Sequence, residues 1–197
     1  MSASPQSILA AARELFLEGG AERVTMRNVA ERVGVTATAL YRHYENREEL
    51  LRAVVSTGFE QFASYLSRSL RGKTASERLR LSGEAYLDFA LDQPQMYRTI
   101  FMSVHPTGDC SPAQVRAQEQ AEPTWSSTFT FLVDRVRDCM EEGSLKKAPA
   151  RETGLLLWVA VHGLVSLHLV NALGEPDATF RRTYHATLAR IVAGLSP

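Results

Sequence analysis

Thr25-Met-Arg-Asn-Val-Ala-Glu-Arg-Val-Gly34-Val-Thr-Ala-Thr-Ala-Leu-Tyr-Arg-His-Tyr44 is the stretch whose reading decides the fold. Thr25 is placed to cap a short helix in which Met26, Val29 and Val33 fall inward at helical spacing. Gly34 breaks that helix, and Thr36 starts a second one that runs to about Tyr44 with Val35 and Leu40 inward. Ala30 falls where two helices would cross closely, a place that needs a small side chain, and Gly34 supplies the tight turn between them. The spacing predicts a helix-turn-helix. On its second helix Thr36, Ala37, Thr38, Tyr41, Arg42 and His43 fall on the exposed side or at the N-terminal end. They are short or hydrogen-bonding, as suits a helix whose N-terminal end enters a major groove. Thr25 and Arg27 open the preceding helix, where free backbone N–H groups favour a phosphate, and Arg47 is placed to serve likewise at the start of the next.

Helical signals continue outward in both directions. Upstream, Ser4 and Pro5 read as the cap and first residue of a helix with Ile8, Leu9, Ala12, Leu15 and Phe16 on one face, ended by Gly19-Gly20. Downstream, Asn46 with Glu49 resembles a capping box for a long helix burying Leu51, Val55, Phe59, Phe62 and Leu66. Thr74 and Glu77 repeat that signature, and Pro94 opens a segment containing Met96, Tyr97, Ile100 and Phe101. After a Pro-, Gly- and Asp-containing loop, a long helical stretch runs from about residue 112 to 142, with a bend expected near Pro123. The last two helices are expected at about 151–172 and 176–194. Alternation of the kind that makes strands is nearly missing. The chain therefore reads as all-α, with about nine helices: an N-terminal three-helix bundle over residues 1–50 and a larger helical bundle over 51–197.

Bulk properties narrow the function without naming it. The 197 residues carry 22 acids and 22 bases, so there is no global pull toward nucleic acid or anionic membrane, and any DNA binding must come from local placement. Residues 1–52 hold as many arginines as glutamates; Arg27, Arg42, His43 and Arg47 are expected on one face, with Glu14 and Glu18 on the first helix. The two cysteines, Cys110 and Cys139, lack metal-ligand spacing and read as small apolar fillers in a reducing cytosol. The start of the chain lacks the pattern of a secretory leader, and a cytoplasmic location is expected. The apolar run Leu155–Val170, interrupted by His162, Ser166 and His168, falls short of the ~20 residues of a membrane span and reads as a helix covered by protein. A nucleophile–base motif, a phosphate-cradling glycine loop and a metal-ligand cluster are all missing, so neither an enzyme nor a cofactor or metal requirement is expected.

At this point the sequence closely resembles the TetR (tetracycline repressor) family of transcription regulators. The resemblance lies in Ile8-Leu-Ala-Ala-Ala-Arg-Glu-Leu-Phe-Leu-Glu-Gly-Gly20, in Thr25–Val35, and most specifically in Leu40-Tyr-Arg-His-Tyr-Glu-Asn-Arg-Glu-Glu-Leu50. It implies that Thr25, Thr36, Thr38, Tyr41, His43 and Arg47 face DNA, with Tyr41 and Arg47 at phosphates. Tyr44 stands where the family commonly has an inward-packing phenylalanine. Ala37 stands where many members have a polar or basic residue, which leaves a thymine methyl as its available contact. Pro94-Gln-Met-Tyr-Arg-Thr-Ile-Phe101 and Trp158-Val-Ala-Val-His-Gly163 resemble a subgroup marked by Trp-His-Gly. That likeness implies a regulatory domain with a ligand cavity and a dimer made by the last two helices.

Residue chemistry is compatible with that implication. A helix apolar nearly all round must be covered on every side, which burial in the monomer plus a two-fold interface would achieve, with Gly163 permitting close approach. Phe89, Tyr97, Phe101, Trp125, Phe129, Trp158 and His162 are the candidates to line an effector cavity, against the alternative that each is ordinary core. The expected function is a homodimeric repressor released from a palindromic double-stranded DNA operator by a small, largely apolar effector. Binding of the effector would tilt the long helix from Asn46 and spoil the ~34 Å spacing of the two recognition helices. A sensor acting through a protein partner and a transcriptional activator remain as alternatives.

Overall fold

The computed structural model describes residues 4–102 and 124–197, with the side chains of the second block described from residue 127. Its α-helices are α1 (Pro5–Gly19), α2 (Met26–Val33), α3 (Ala37–Leu40), α4 (Arg47–Ser67), α5 (Ala75–Asp92), α6 (Pro94–Tyr97), α7 (Thr124–Glu142), α8 (Ala150–Leu169) and α9 (Asp177–Leu195). Short 3₁₀ turns precede α2 and α5, a π-type turn over Arg98–Met102 follows α6, and no strand occurs among the described residues. The protein is all-α. The loop expected after Phe101, the bend near Pro123 and Cys110 lie outside the described residues.

The chain forms two compact units. The first runs to Glu60 and takes in the segment from Gln95. Its helix starts follow the sequence signals. The Ser4 hydroxyl accepts from the Ser7 N–H at 3.1 Å while the Ser4 N–H donates to the Ser7 hydroxyl at 3.0 Å, with Pro5 in the first helical position. Thr25 Oγ1 accepts from the Asn28 N–H at 3.1 Å. Asn46 Oδ1 accepts from the Glu49 N–H at 2.8 Å, but the Glu49 carboxylate takes the N–H of Glu45 and not that of Asn46. Ile8, Ala12, Leu15, Val29, Leu40, Leu50 and Val54 close into one core. Burying a side chain the size of Leu40 contributes about 1.5–3 kcal/mol.

Three details depart from the sequence reading. Leu9 and Val33 only flank this core, and Ala11 takes an inward place. On α4 it is Val54 that is wholly buried, with Val55 half-covered. The recognition helix is one turn long, and residues 41–43 continue it as a looser turn in which the His43 and Tyr44 N–H groups both donate to the Leu40 carbonyl. Thr36 makes no side-chain cap bond, and the threonines and aromatic residues around it are weak helix formers, so little local preference extends a helix this short.

In the second unit, α5 begins under Thr74, whose hydroxyl accepts from the Glu77 N–H at 3.1 Å, and under Glu142 of α7, which accepts from the N–H groups of Ala75 and Ser76 at 3.1 and 3.2 Å. A carboxylate at the positive end of a helix both satisfies orphan donors and meets the dipole favourably. Helix α9 is tied to α5 by Tyr184, whose hydroxyl donates to the Gly83 carbonyl at 2.8 Å, and by Arg181, which donates to Asp88 at 2.7 Å. Cys139 is buried among Val136, Met140 and Leu157, and burial pushes its thiol up, as befits an apolar filler.

Helix α8 is less covered than its composition led us to expect. It is long and apolar enough to cross a membrane, yet only 28% of its apolar window is buried within this chain. Leu155, Leu156, Val159, Leu167 and Val170 are exposed. A methyl added at Gly163 would meet nothing within 4 Å among the described residues; the close approach is instead at Gly154, where an added methyl would come within 3.1 Å of Val133.

Within the first unit, Gly58 of α4 admits Met96 and Ile100. A methyl there would sit 2.5 Å from the Met96 sulfur and 2.8 Å from the Ile100 side chain, and both of those residues are buried. We predict that Gly58→Ala destabilises the protein by about 1–3 kcal/mol in urea unfolding through overpacking. An unchanged midpoint would mean that this contact yields without cost.

Candidate nucleic-acid interface

Helix α2 ends in a Schellman pattern. Gly34 is left-handed at φ 77°, its N–H donates to Glu31, and the Val35 N–H donates to the Ala30 carbonyl at 2.9 Å. Ala30 is 3% exposed at the crossing, so the chain turns from α2 to α3 with no bulky side chain between them. That turn leaves Thr36, Thr38, Tyr41, Arg42 and His43 exposed, and Tyr41 is 55% exposed despite its ring. Arg27 is exposed on the first turn of α2. Thr25 is half-buried because its hydroxyl is engaged as the cap. Ala37 is half-buried against the core, which leaves only part of its methyl at the surface. Tyr44 packs against the same core and is turned away from the exposed row, as its family position implied.

Charge at this face is arranged by pairing. On α1, Glu18 receives a two-pronged bond from Arg32 of α2, at 2.9 and 3.0 Å, and Glu14 receives a third at 3.2 Å. The Arg32 hydrogen bond holds the Glu18 carboxyl below its ordinary range. With Arg23 also 3.8 Å from Glu18, two guanidiniums stand against two carboxylates that would repel a phosphate backbone, while Arg27, Arg42 and His43 stay at the surface. Arg47 sits differently from its neighbours. Its Nε and Nη2 donate to the carbonyls of Val24 and Ala21, both at 2.7 Å. Sequence spacing had set Arg47 beside the phosphate-facing residues; the two carbonyl partners carry no sequence signal, because they belong to backbone.

The effector candidates fall into separate places. Tyr97 and Phe101 are in the first unit, ring to ring at 5.0 Å, with Phe59 against Phe101 at 6.0 Å. Phe89 is fully buried in the second unit between Phe62 and Tyr65. Phe129, Trp158 and His162 form a row, with centroids 6.1 and 5.4 Å apart. The Trp125 side chain lies outside the described residues. Tyr86, which sequence reasoning passed over, extends the row: its hydroxyl is 3.0 Å from His162 Nδ1. The available signal was its place on α5, three residues before Phe89 and therefore on the same helix face. Among the described residues no cluster of His, Cys, Asp and Glu could hold a metal ion.

Comparison with known proteins agrees with this geometry. Residues 8–54 match the family described as bacterial regulatory proteins, tetR family, and residues 79–191 match the tetracyclin repressor-like C-terminal domain. The HTH-type transcriptional activator FasR of Mycolicibacterium smegmatis is 34% identical over 115 residues, which are 58% of this chain and 52% of FasR, so the chain spans about half the length of that relative. A protein of unknown function from Rhodococcus sp. RHA1 superposes with a TM-score of 0.80 at 22% identity, over 98% of this chain and 95% of that one. FadR from Bacillus subtilis, solved in complex with stearoyl-CoA, superposes with a TM-score of 0.72 at 14% identity, over 94% and 97%. The two structures share the fold.

Burial of His162 lowers its pKa from the ordinary 6.5. Unfolding returns the imidazole to water, where it protonates more readily, so acid favours the unfolded chain once the pH falls through 6.5. The loss grows until the lower folded-state value is reached, and above 6.5 it is absent. We predict that the urea midpoint declines as pH drops below that point and that His162→Gln reduces this slope. An equal slope in the variant would assign the pH response to other groups.

Proposed function

Because this chain belongs to the TetR family of bacterial regulatory proteins, we propose that it is a ligand-responsive transcriptional repressor that binds a palindromic operator as a homodimer. The observation that carries this reading is the exposed row Thr36, Thr38, Tyr41, Arg42 and His43, presented by a crossing that Ala30 and Gly34 make possible. Thr25 and Arg27, with Ala37 in part, complete the contact surface, and Arg47 stands behind it. Residues 1–50 are the DNA-binding domain, and 51–197 serve ligand binding and dimerisation. The protein works in the cytoplasm, where its DNA lies.

The dimer forms through α8 and α9. The exposed leucines and valines of α8 need cover that this chain does not supply, and a two-fold pairing of the last two helices supplies it. The effector is a small, largely apolar molecule that lies against Phe129, Trp158 and His162. The apolar rings favour it, and FadR, of the same fold, was solved with stearoyl-CoA. Effector binding favours a state of the dimer whose recognition helices no longer match one turn of DNA, about 34 Å. The Trp-His-Gly subgroup rests on the resemblance of Pro94–Phe101 and of Trp158, His162 and Gly163 to its two recurring pieces. A second reading, activation, is favoured by the name of one relative, the activator FasR.

The test begins with whether the purified protein retards the intergenic DNA upstream of its own gene. We predict that Tyr41→Ala weakens that binding by about tenfold or more, and weakens it on unrelated duplexes as well, because a phosphate contact is blind to sequence. Equal affinity in the variant would remove Tyr41 from the interface. We further predict that Val159→Glu, which places a charge on the exposed apolar face of α8, yields a monomer in sedimentation and costs operator affinity about tenfold or more. A dimer of unchanged affinity would place the two-fold interface elsewhere.

A further inference from the structure

Arg47 occupies the first turn of α4, yet it acts on the turn that leads into α2. Its Nε donates to the Val24 carbonyl and its Nη2 to the Ala21 carbonyl, each at 2.7 Å, while Nη1 lies 3.8 Å from the Glu48 carboxylate. The two carbonyls are three residues apart in sequence and are met by two N–H groups of one rigid plane. The turn they belong to is otherwise closed on itself. The Val24 N–H donates to Ala21, the Arg23 N–H to Gly20, and Asn28 Nδ2 to the Arg23 carbonyl at 2.9 Å. The next residue is Thr25, whose hydroxyl caps α2. The guanidinium is therefore the bond between the head of α4 and the cap of α2.

We propose that Arg47 is a positioning residue, and that affinity for DNA depends on its two-carbonyl fork and not on its charge meeting a phosphate. The inference rests on the DNA-binding reading above. A phosphate contact would require turning the guanidinium away from Val24 and Ala21, and both carbonyls would lose a charge-assisted donor. Kept in place, the fork makes the start of α4 and the N-terminus of α2 one body. Any displacement of the head of α4 then carries Thr25 and Arg27 with it, which links an effector-driven movement of α4 to the phosphate-facing end of α2. The chemistry also makes a sharp distinction between two basic residues. Lysine retains the charge, but its donors radiate from one nitrogen and do not reproduce the two coplanar N–H groups of the guanidinium fork.

The experiment compares wild type, Arg47→Lys and Arg47→Ala as full-length proteins, with circular dichroism verifying that each retains its helices. Amide hydrogen exchange over residues 21–28 is read without DNA. Affinity and its salt dependence are read on duplexes that the wild type selects from a random-sequence pool. A positioning role predicts that exchange quickens about tenfold in both variants, and that both lose about tenfold in affinity while the slope of log affinity against log salt stays at the wild-type value. A lysine variant that matches wild type in exchange and affinity, with an alanine variant whose salt slope falls by about one, overturns the proposal and makes Arg47 a phosphate contact. Should the wild type select no duplex, the DNA-binding reading falls and the positioning role falls with it. Should the wild type bind and the lysine variant bind equally well, only the positioning role falls.

Discussion

The left-handed turn at Gly34 is the constraint on which the N-terminal unit depends. With φ at 77°, this position is costly for any residue with a Cβ, and the two bonds that close it, from Gly34 to Glu31 and from Val35 to Ala30, also satisfy carbonyls at the end of α2. The turn aims Leu40 into the core, where it is fully buried, and the same aim turns Tyr41 through His43 outward. Core and surface are thus set by one geometric event. A recognition helix of a single turn has too few residues to hold itself together, so its conformation is held by the Leu40 anchor and the turn before it.

That dependence explains what the sequence made legible and what it did not. Helix starts at Ser4, Thr25, Asn46 and Thr74 could be read because capping is a local bond between residues three apart. The glycine turn could be read because few residues tolerate its dihedrals. The length of α3 could not, since hydrophobic spacing continues to Tyr44 while the hydrogen bonds loosen after Leu40. Val54 and Val55 show the same limit on α4: both are apolar, and only packing chooses which is buried. Contacts to backbone distant in sequence were invisible. The two carbonyl partners of Arg47 are an example, since a carbonyl leaves no mark in a side-chain pattern. The Tyr86–His162 bond joins residues 76 apart, beyond the reach of any local pattern.

A zero net charge might be thought an obstacle to nucleic-acid binding, but charge works here by place. Arg32 draws Glu14 and Glu18 into a bonded group between α1 and α2, and Arg23 lies 3.8 Å from Glu18, so two guanidiniums stand against these two acids. Being exposed, the pairs contribute little to stability. Arg27, Tyr41, Arg42 and His43 stay exposed outside that bonded group. Counting charges over the first domain could not distinguish this arrangement from a uniform mixture, because the count is the same for both.

The second unit poses the opposite problem, an apolar helix with too little to cover it. Val161 and Val165 of α8 are buried within the chain, while Leu155, Leu156, Val159 and Leu167 are exposed. A stripe of this kind in water costs free energy in proportion to its area, and a polar surface would serve a monomer better. Its persistence on a helix whose other side already packs on α7 argues that the chain is built to be covered by another molecule. A partner related by a two-fold axis meets the requirement with no additional component, since the same stripe on each copy covers the other. In the dimer proposed above, that pairing would also bring two N-terminal units into one particle, as two half-sites require. On the function proposed above, the apolar excess of α8 and the exposed side chains around α3 would be two halves of one requirement, since a dimer that reads two half-sites must first have a surface that makes it a dimer.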